Sequence, residues 1–159
     1  MTAASCSTTE DLPAGGDGLA LPLLALDIGM RRIGVAVSDR RGLVARGIAC
    51  LARRDKQWPL RLKRVIDEYG VRGIVAGLPR NMDGSEGEQA KDARAAVAEL
   101  QRVISLPIVF QDERLSTWSA KERLFAQGLS EKRVRKKLDQ TAAAIILEDF
   151  LHAHPELRP

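Results

Sequence analysis

The N-terminal half of the chain alternates short apolar runs with turn residues. Residues 23–27, 33–38 and 44–51 are rich in Leu, Ile, Val and Ala, and short connections containing Gly29 and Gly42 separate them. Connections this short can join antiparallel neighbours. The pattern therefore predicts three consecutive antiparallel β-strands.

The spacing then becomes helical. Residues 58–69 repeat apolar side chains every three or four positions, with Pro59 in the first turn and Gly70 after the last, which predicts a helix. Downstream, the pattern predicts strands over 73–77 and 108–113 and a helix over 85–104 that Ser85 or an adjacent residue can cap. It also predicts a helix over 116–127, a short segment over 130–137 and a closing helix over 139–152. Three antiparallel strands followed by alternating helices and strands predict an α/β fold, a mixed sheet with helices on its faces.

Length and composition predict one domain with an N-terminal tail. A chain of 159 residues is long enough for one sizeable core. Residues 1–22 lack periodicity, Lys and Arg, which predicts a disordered tail before a single domain over 23–159. The tail lacks the basic and apolar regions of a secretory signal, and no segment is apolar enough to span a membrane, so we expect a cytoplasmic protein without a membrane partner.

The predicted domain is basic. The chain has 25 basic and 21 acidic residues, and three of the acidic residues lie in the tail. This excess of positive charge favours a polyanionic partner such as nucleic acid. The two cysteines, Cys6 and Cys50, are too few for a disulfide framework or a cysteine metal cluster.

Three carboxylates stand at the ends of predicted elements. Asp27 ends the first strand, Glu113 ends the fifth, and Asp139 opens the closing helix. Strand ends that face a common crevice are where α/β sheets bind ligands. Converging carboxylates without His or Cys favour Mg²⁺ or Mn²⁺, and two such ions suit phosphodiester hydrolysis. The alternatives are a solvated Asp27 in a turn, an ion pair of Glu113 with Arg114, and Asp139 as a helix N-cap.

Basic residues surround these carboxylates in the sequence. Those that we expect to contact nucleic-acid phosphates are Arg31, Arg32, Arg114, Lys132, Arg133, Arg135, Lys136 and Lys137. The alternative for the run before Asp139 is a solvated charged surface. Trp118 has the spacing of a packing residue rather than of a base-stacking platform.

Four motifs in this order resemble the YqgF (RuvX) family of bacterial proteins. They are LDIGMRRIGVAVSD, GIVAGLPRNMDGSEGEQA, FQDERLST and LDQTAAAIILEDFL after the basic run, and together they extend from about residue 23 to 151. The resemblance implies a ribonuclease H-like fold with a five-stranded sheet of order 3-2-1-4-5 and helices on both faces. It also implies an acidic metal site of Asp27, Glu113 and Asp139.

The resemblance implies a metal-dependent nuclease that matures the 5′ end of pre-16S rRNA, or alternatively a Holliday junction resolvase. The partner is then structured RNA or branched DNA, bound by a monomer or a weak homodimer. A nucleic-acid-binding module without catalysis is a further alternative, disfavoured because all three carboxylates are present. A nucleotide-binding domain of the sugar-kinase and actin type is also disfavoured, because that architecture needs two such domains.

Overall fold

We analysed a computed structural model of the chain, which describes residues 18–113, residue 128 and residues 131–159. Side chains are described for all of these except residues 131–141. Within this part of the chain, five strands form one sheet and three α-helices pack against it. The sequence-based expectations for Arg114 and Trp118, and for a helix over 116–127, lie outside the described residues.

The sheet has the strand order β3-β2-β1-β4-β5, as the family resemblance implied. The first three strands pair antiparallel, and β4 and β5 continue the sheet in parallel with β1. The strand bounds are Leu23–Ile28 for β1, Arg32–Ser38 for β2, Ala45–Ala52 for β3, Gly73–Leu78 for β4 and Ile108–Asp112 for β5. The predicted mixed sheet is confirmed, and each strand differs from its expected range by one residue, at both ends for β3 and at one end for the others.

Two apolar cores separate the sheet from its helices. Helices α1 (Trp58–Tyr69) and α2 (Glu88–Leu100) cover one face, and α3 (Glu131–Ala153) covers the other. Because side chains alternate along a strand, β1 directs Leu24 and Leu26 toward the first core and Leu23 and Ala25 toward the second. Burial on both faces explains why β1 reads as a continuous apolar run.

Helix α1 matches its prediction. Pro59 lies in its first turn, and Gly70 ends it with a φ of 63°. The N–H groups of Gly70 and Val71 donate to the carbonyls of Asp67 and Ile66, at 3.4 and 3.0 Å. This arrangement satisfies carbonyls that a helix end leaves without an intrahelical donor.

Helix α2 begins later than expected, at Glu88, and ends at Leu100. Ser85 does not cap it, because its hydroxyl is used in the preceding loop. The Ser85 Oγ atom donates to Asp83 Oδ1 at 2.5 Å and accepts from Asn81 Nδ2 at 3.0 Å. The expectation that Ser85 or an adjacent residue caps the helix was wrong, because a local turn competes for the Ser85 hydroxyl and the N-cap position is held by Gly87, which has no side chain.

Helix α3 is continuous where two segments were expected. It runs from Glu131 to Ala153, so the basic run and Asp139 belong to the same helix. Asp139 therefore does not open the helix, and the N-cap alternative for it is wrong. None of the helices in the described ranges combines the length and apolar character needed to cross a membrane.

The ordered chain begins before residue 23. Leu19 is 7% exposed and belongs to the core under α3, and the carbonyl of Pro22 accepts a 2.9 Å hydrogen bond from the N–H of Arg72. The expected tail boundary after residue 22 was therefore too late, because an apolar side chain in a polar stretch packs into the core. Residues 1–17 lie outside the described residues, and a tail there stays a prediction.

Candidate active site

The carboxyl ends of the parallel strands β1, β4 and β5 lie at the same edge of the sheet. Asp27 is the fifth residue of β1, and Glu113 follows the last residue of β5. By the alternation along β1, Asp27 shares the face of Leu23 and Ala25, which is the face that α3 covers. Both carboxylates thus reach the same edge from strands on either side of β4.

Glu113 lies under α3 and is only 7% exposed. Its N–H donates to the carbonyl of Leu78 at 3.3 Å, which continues the β4–β5 pairing by one residue. Its side chain lies over Gly77. A Cβ atom at Gly77 would lie 3.1 Å from Glu113 Cδ, closer still to its Oε2 atom, and 2.7 Å from Ile146 Cδ1. The missing side chain at Gly77 therefore leaves room for the carboxyl group of Glu113.

The two carboxyl groups interact across Gly77. Burial has the largest effect on the pKa of Glu113, and together with the charge of Asp27, a hydrogen bond with Asp27 and the charge of Asp112 it raises that pKa to about 9. Glu113 consequently keeps its proton at neutral pH, and the pair with Asp27 then holds one negative charge. This is the behaviour of two carboxylates that share one site.

One oxygen of this pair lacks a donor. Glu113 Oε2 is buried and has no hydrogen-bond partner among the described residues. Burial of an oxygen without a hydrogen-bond partner is unfavourable. A divalent cation held by the two carboxylates would give this oxygen a partner. The donor set of Asp27 and Glu113 consists of hard carboxylate oxygens, which fits Mg²⁺ or Mn²⁺.

A third metal-binding side chain is not seen in the described part. Among side chains that the structure describes, no three His, Cys, Asp or Glu residues form a metal-binding group. Asp139 is placed in α3, but its side chain lies outside the description, as do those of Lys132, Arg133, Arg135, Lys136 and Lys137.

An arginine holds the turn between β1 and β2. Arg53 Nη1 donates to the carbonyl of Gly29 at 2.9 Å, and its guanidinium forms a two-pronged ion pair with Asp92 of α2, at 2.6 and 3.0 Å. The N–H of Arg53 also donates to the carbonyl of Arg31 at 2.8 Å. These bonds fix the backbone of the turn after β1, which carries exposed Arg31 and leads into half-buried Arg32 at the start of β2.

Sequence reasoning found the carboxylates but missed the residues that arrange them. Gly77 was recognised only as part of a buried strand, although glycine inside a strand often marks a close approach. The contact of Arg53 with Asp92 joins residues 39 positions apart, and the sequence pattern contains nothing that pairs them.

Comparison with known families decides where this chain belongs. The family model for RuvX, described as Holliday junction resolvase, matches residues 22–153. The chain belongs to the RuvX family. The family resemblance seen in the four motifs is thereby confirmed.

Relatives of this RuvX-family protein match over most of their length. A relative from Geobacillus kaustophilus is 45% identical over 131 residues, which is 80% of this chain and 95% of the relative. One from Moorella thermoacetica is 44% identical over 130 residues, covering 81% and 93%. Both are named as pre-16S rRNA nucleases.

A solved structure supports the fold of the RuvX-family chain. Thermus thermophilus RuvC in complex with a Holliday junction substrate superposes with a TM-score of 0.50 at 14% sequence identity. The match covers 86% of this chain and 99% of that one. At this identity the comparison supports the ribonuclease H-like fold class only.

The raised pKa of Glu113 predicts how stability depends on pH. Between about pH 4.5 and about 9, the unfolded chain holds fewer protons than the folded chain, so stability falls as pH rises. The slope from this one group is at most about 1.4 kcal/mol per pH unit. Because Gln does not titrate, we expect Glu113→Gln without metal, in EDTA, to be more stable than the unsubstituted protein by a margin that grows with pH. Thermal unfolding from pH 5 to 9 measures this margin, and a constant difference would contradict the assignment.

The space at Gly77 predicts a coupled effect on stability. We expect Gly77→Ala to destabilise the protein by about 1–3 kcal/mol, because the new methyl group overlaps Glu113 and Ile146. The same change in a Glu113→Ala background should cost less, since one of the overlapping groups is gone. Urea unfolding of the four proteins measures the coupling, and additive effects would show that Glu113 does not lie over Gly77.

Proposed function

We propose that this chain is a metal-dependent nuclease that hydrolyses phosphodiester bonds of RNA in the 5′-end maturation of pre-16S rRNA. The observation that carries the proposal is the hydrogen-bonded pair of half-buried Asp27 and buried Glu113 at the carboxyl edge of the sheet, in a chain of the RuvX family. A folding role alone does not require two adjacent carboxyl groups, one of which has an oxygen without a donor.

Asp27, Glu113 and Asp139 are the residues proposed to hold the metal, Mg²⁺ or Mn²⁺, as two ions. Asp139 stands four residues before Ala143 and seven before Ile146, and both of these are buried in the core between α3 and the sheet. That spacing places position 139 on the same stripe of α3, one and two turns away. When bound, such ions stabilise charge on the phosphate and make water a nucleophile at neutral pH.

The first event required of the protein in the proposed reaction is the loss of the Glu113 proton. Without metal, Glu113 holds its proton in the hydrogen bond with Asp27, and that proton must leave to solvent before both carboxylates can act as ligands. Gly77 and Ile146 keep the Glu113 carboxyl group over the end of β4. Arg31 is exposed in the turn that follows β1 and is proposed to orient the substrate phosphates.

The other basic residues of the proposed nucleic-acid interface are assigned to it by their positions in the chain and in the fold. Arg32 follows Arg31 on the same edge, and the basic run Lys132, Arg133, Arg135, Lys136 and Lys137 precedes Asp139 in α3. Arg114 directly follows Glu113 in the chain. Their proposed role is to neutralise phosphates of the nucleic acid near the scissile bond.

The choice of RNA rests on relatives. Proteins sharing up to 45% of their residues with this chain, over about 95% of their own length, are named as pre-16S rRNA nucleases. The family description names Holliday junctions instead, so junction cleavage is the second candidate. We propose that a monomer or weak homodimer acts on RNA in the cytoplasm. A junction enzyme would need two active sites at a fixed separation.

Removing one carboxylate tests the proposed activity. We expect Asp27→Asn to keep the fold and to lose at least about a hundredfold in cleavage rate, because a direct ligand should matter at least as much as the residues that orient ligands. The assay offers a 5′-extended small-subunit rRNA precursor and a synthetic four-way junction in parallel, each with Mg²⁺ and with Mn²⁺. Asp67→Asn, an exposed substitution in α1, is the matched control.

Each outcome has a distinct meaning. Cleavage of the precursor by the unsubstituted protein and by the control, but not by Asp27→Asn, supports the proposal. Cleavage of the junction alone would replace the RNA substrate by DNA. Equal rates for Asp27→Asn at saturating Mn²⁺ would remove Asp27 from the site, and retention of both nucleic acids without any cleavage would leave a binding module.

A further inference from the structure

Charge is distributed unevenly over the described domain. Residues 29–56, which contain the β2–β3 hairpin, include eight basic and two acidic residues. Residues 81–101, which contain α2, include two basic and five acidic residues. A polyanion that approaches the active site is therefore attracted to the hairpin side and repelled from the α2 side.

The two acidic residues of the hairpin region are already engaged. Asp39 Oδ1 accepts hydrogen bonds from the N–H groups of Leu43 and Val44, at 2.8 and 3.1 Å. Asp55 forms an ion pair with Arg61 Nε at 2.6 Å. These contacts compensate the negative charges locally, so the positive charge of the hairpin dominates its surroundings.

The turn between β2 and β3 is held in a fixed conformation. Gly42 has a φ of +67°, its N–H donates to the carbonyl of Asp39 at 3.3 Å, and its carbonyl accepts from Arg158 Nε at 3.2 Å. Arg40 and Arg41 lie in this turn and are exposed. Because the backbone is already ordered, binding there requires little loss of backbone entropy.

The exposed cations lie at both ends of the hairpin. Strand β3 is the last strand of the sheet, and Arg32 pairs with Ala52 at the active-site edge while Ser38 pairs with Ala45 at the far edge. Seven residues of β2 span about 20 Å between these pairs. The exposed arginines are Arg31 and Arg54 at the near end and Arg46, Arg40 and Arg41 toward the far end.

We propose that these five arginines, the basic hairpin, bind the phosphate backbone of an extended substrate arm on one side of the scissile bond. The inference rests on the proposed nuclease function and adds a contact region that extends along the hairpin for about 20 Å, from the active-site edge of the sheet to its far edge. At about 3.4 Å per phosphate along one strand of a duplex, this distance corresponds to about six base pairs. The substrate class is thus a nucleic acid with a duplex arm of at least that length.

A structural role for the same charges has different consequences. Basic side chains on an outer strand also prevent sheets from pairing edge to edge. That role predicts self-association after the charge is removed, and it predicts no dependence of binding on the length of the nucleic acid.

The test uses a triple variant and a charge-matched control, both in the full chain. Arg40→Glu, Arg41→Glu and Arg46→Glu change the far end of the basic hairpin. The control carries three reversals at exposed positions on the other side of the domain, with the same change in net charge: Lys63→Glu, Arg72→Glu and Arg102→Glu. Replacement of the three hairpin arginines by Gln provides a milder variant if the reversals impair folding.

Binding is measured in EDTA, so that cleavage does not enter. The probes are fluorescein-labelled RNA duplexes of about 3 and about 18 base pairs, each closed by the same stable loop and carrying the same single-stranded 5′ end, so that only the longer one reaches the far end of the hairpin. We expect the hairpin variant to bind the long duplex about tenfold or more weakly and the short duplex almost as tightly as the unsubstituted protein does. For the long duplex, the slope of log K against log salt should decrease in magnitude by about two to three. The control should keep the length dependence of the unsubstituted protein.

Three results would overturn the inference: unchanged binding of the long duplex by the hairpin variant, equal loss of affinity in the control, or self-association of the variant in place of weaker binding.

The inference and the proposed function can fail independently of each other. If the unsubstituted protein cleaves nothing with either metal but the length dependence is present and is lost in the variant, the basic hairpin stands and the nuclease proposal falls.

Discussion

Asp27 and Glu113 share a hydrogen bond at a place where Glu113 is almost completely removed from water. Two carboxyl groups in such a place cannot both ionise without a compensating charge, so the metal-free pair holds a proton. The sheet imposes this arrangement, because Asp27 and Glu113 extend from strands on either side of β4, and Gly77 between them has no side chain. Every chemical property that we assign to the site depends on this enforced proximity.

The carboxyl group of Glu113 and the cations near it have different surroundings. Apolar packing by α3 keeps Glu113 dry, whereas the turn after β1 exposes Arg31 to solvent and to a ligand. Arg53 connects that turn to α2 through Asp92, so the backbone of the turn is held by a helix on the face opposite α3. A site with a buried Glu113, a half-buried Asp27 and an exposed cationic edge suits a large anionic substrate whose reacting group alone must enter.

Much of the fold could be predicted from periodicity, because the strands and α1 combine a clear repeat with clear stop residues such as Gly70. The length of α3 could not be predicted, because the charged run before Asp139 resembles a solvated segment. Packing of the later half of α3 on the sheet stabilises the helix, and the sequence pattern does not show that packing. The same limit applies to the site: residue types identified Asp27 and Glu113 as candidates, but only the sheet order brings them over Gly77.

Proton release on metal binding tests the central claim most directly. Titration of the full chain with Mn²⁺ near pH 7, in two buffers of different ionisation enthalpy, gives the number of protons released. The account predicts about one proton per chain, because Glu113 must deprotonate to act as a ligand, and it predicts that Glu113→Gln abolishes this release. Saturable binding of Mn²⁺ without proton release, or the same release from Glu113→Gln, would contradict it.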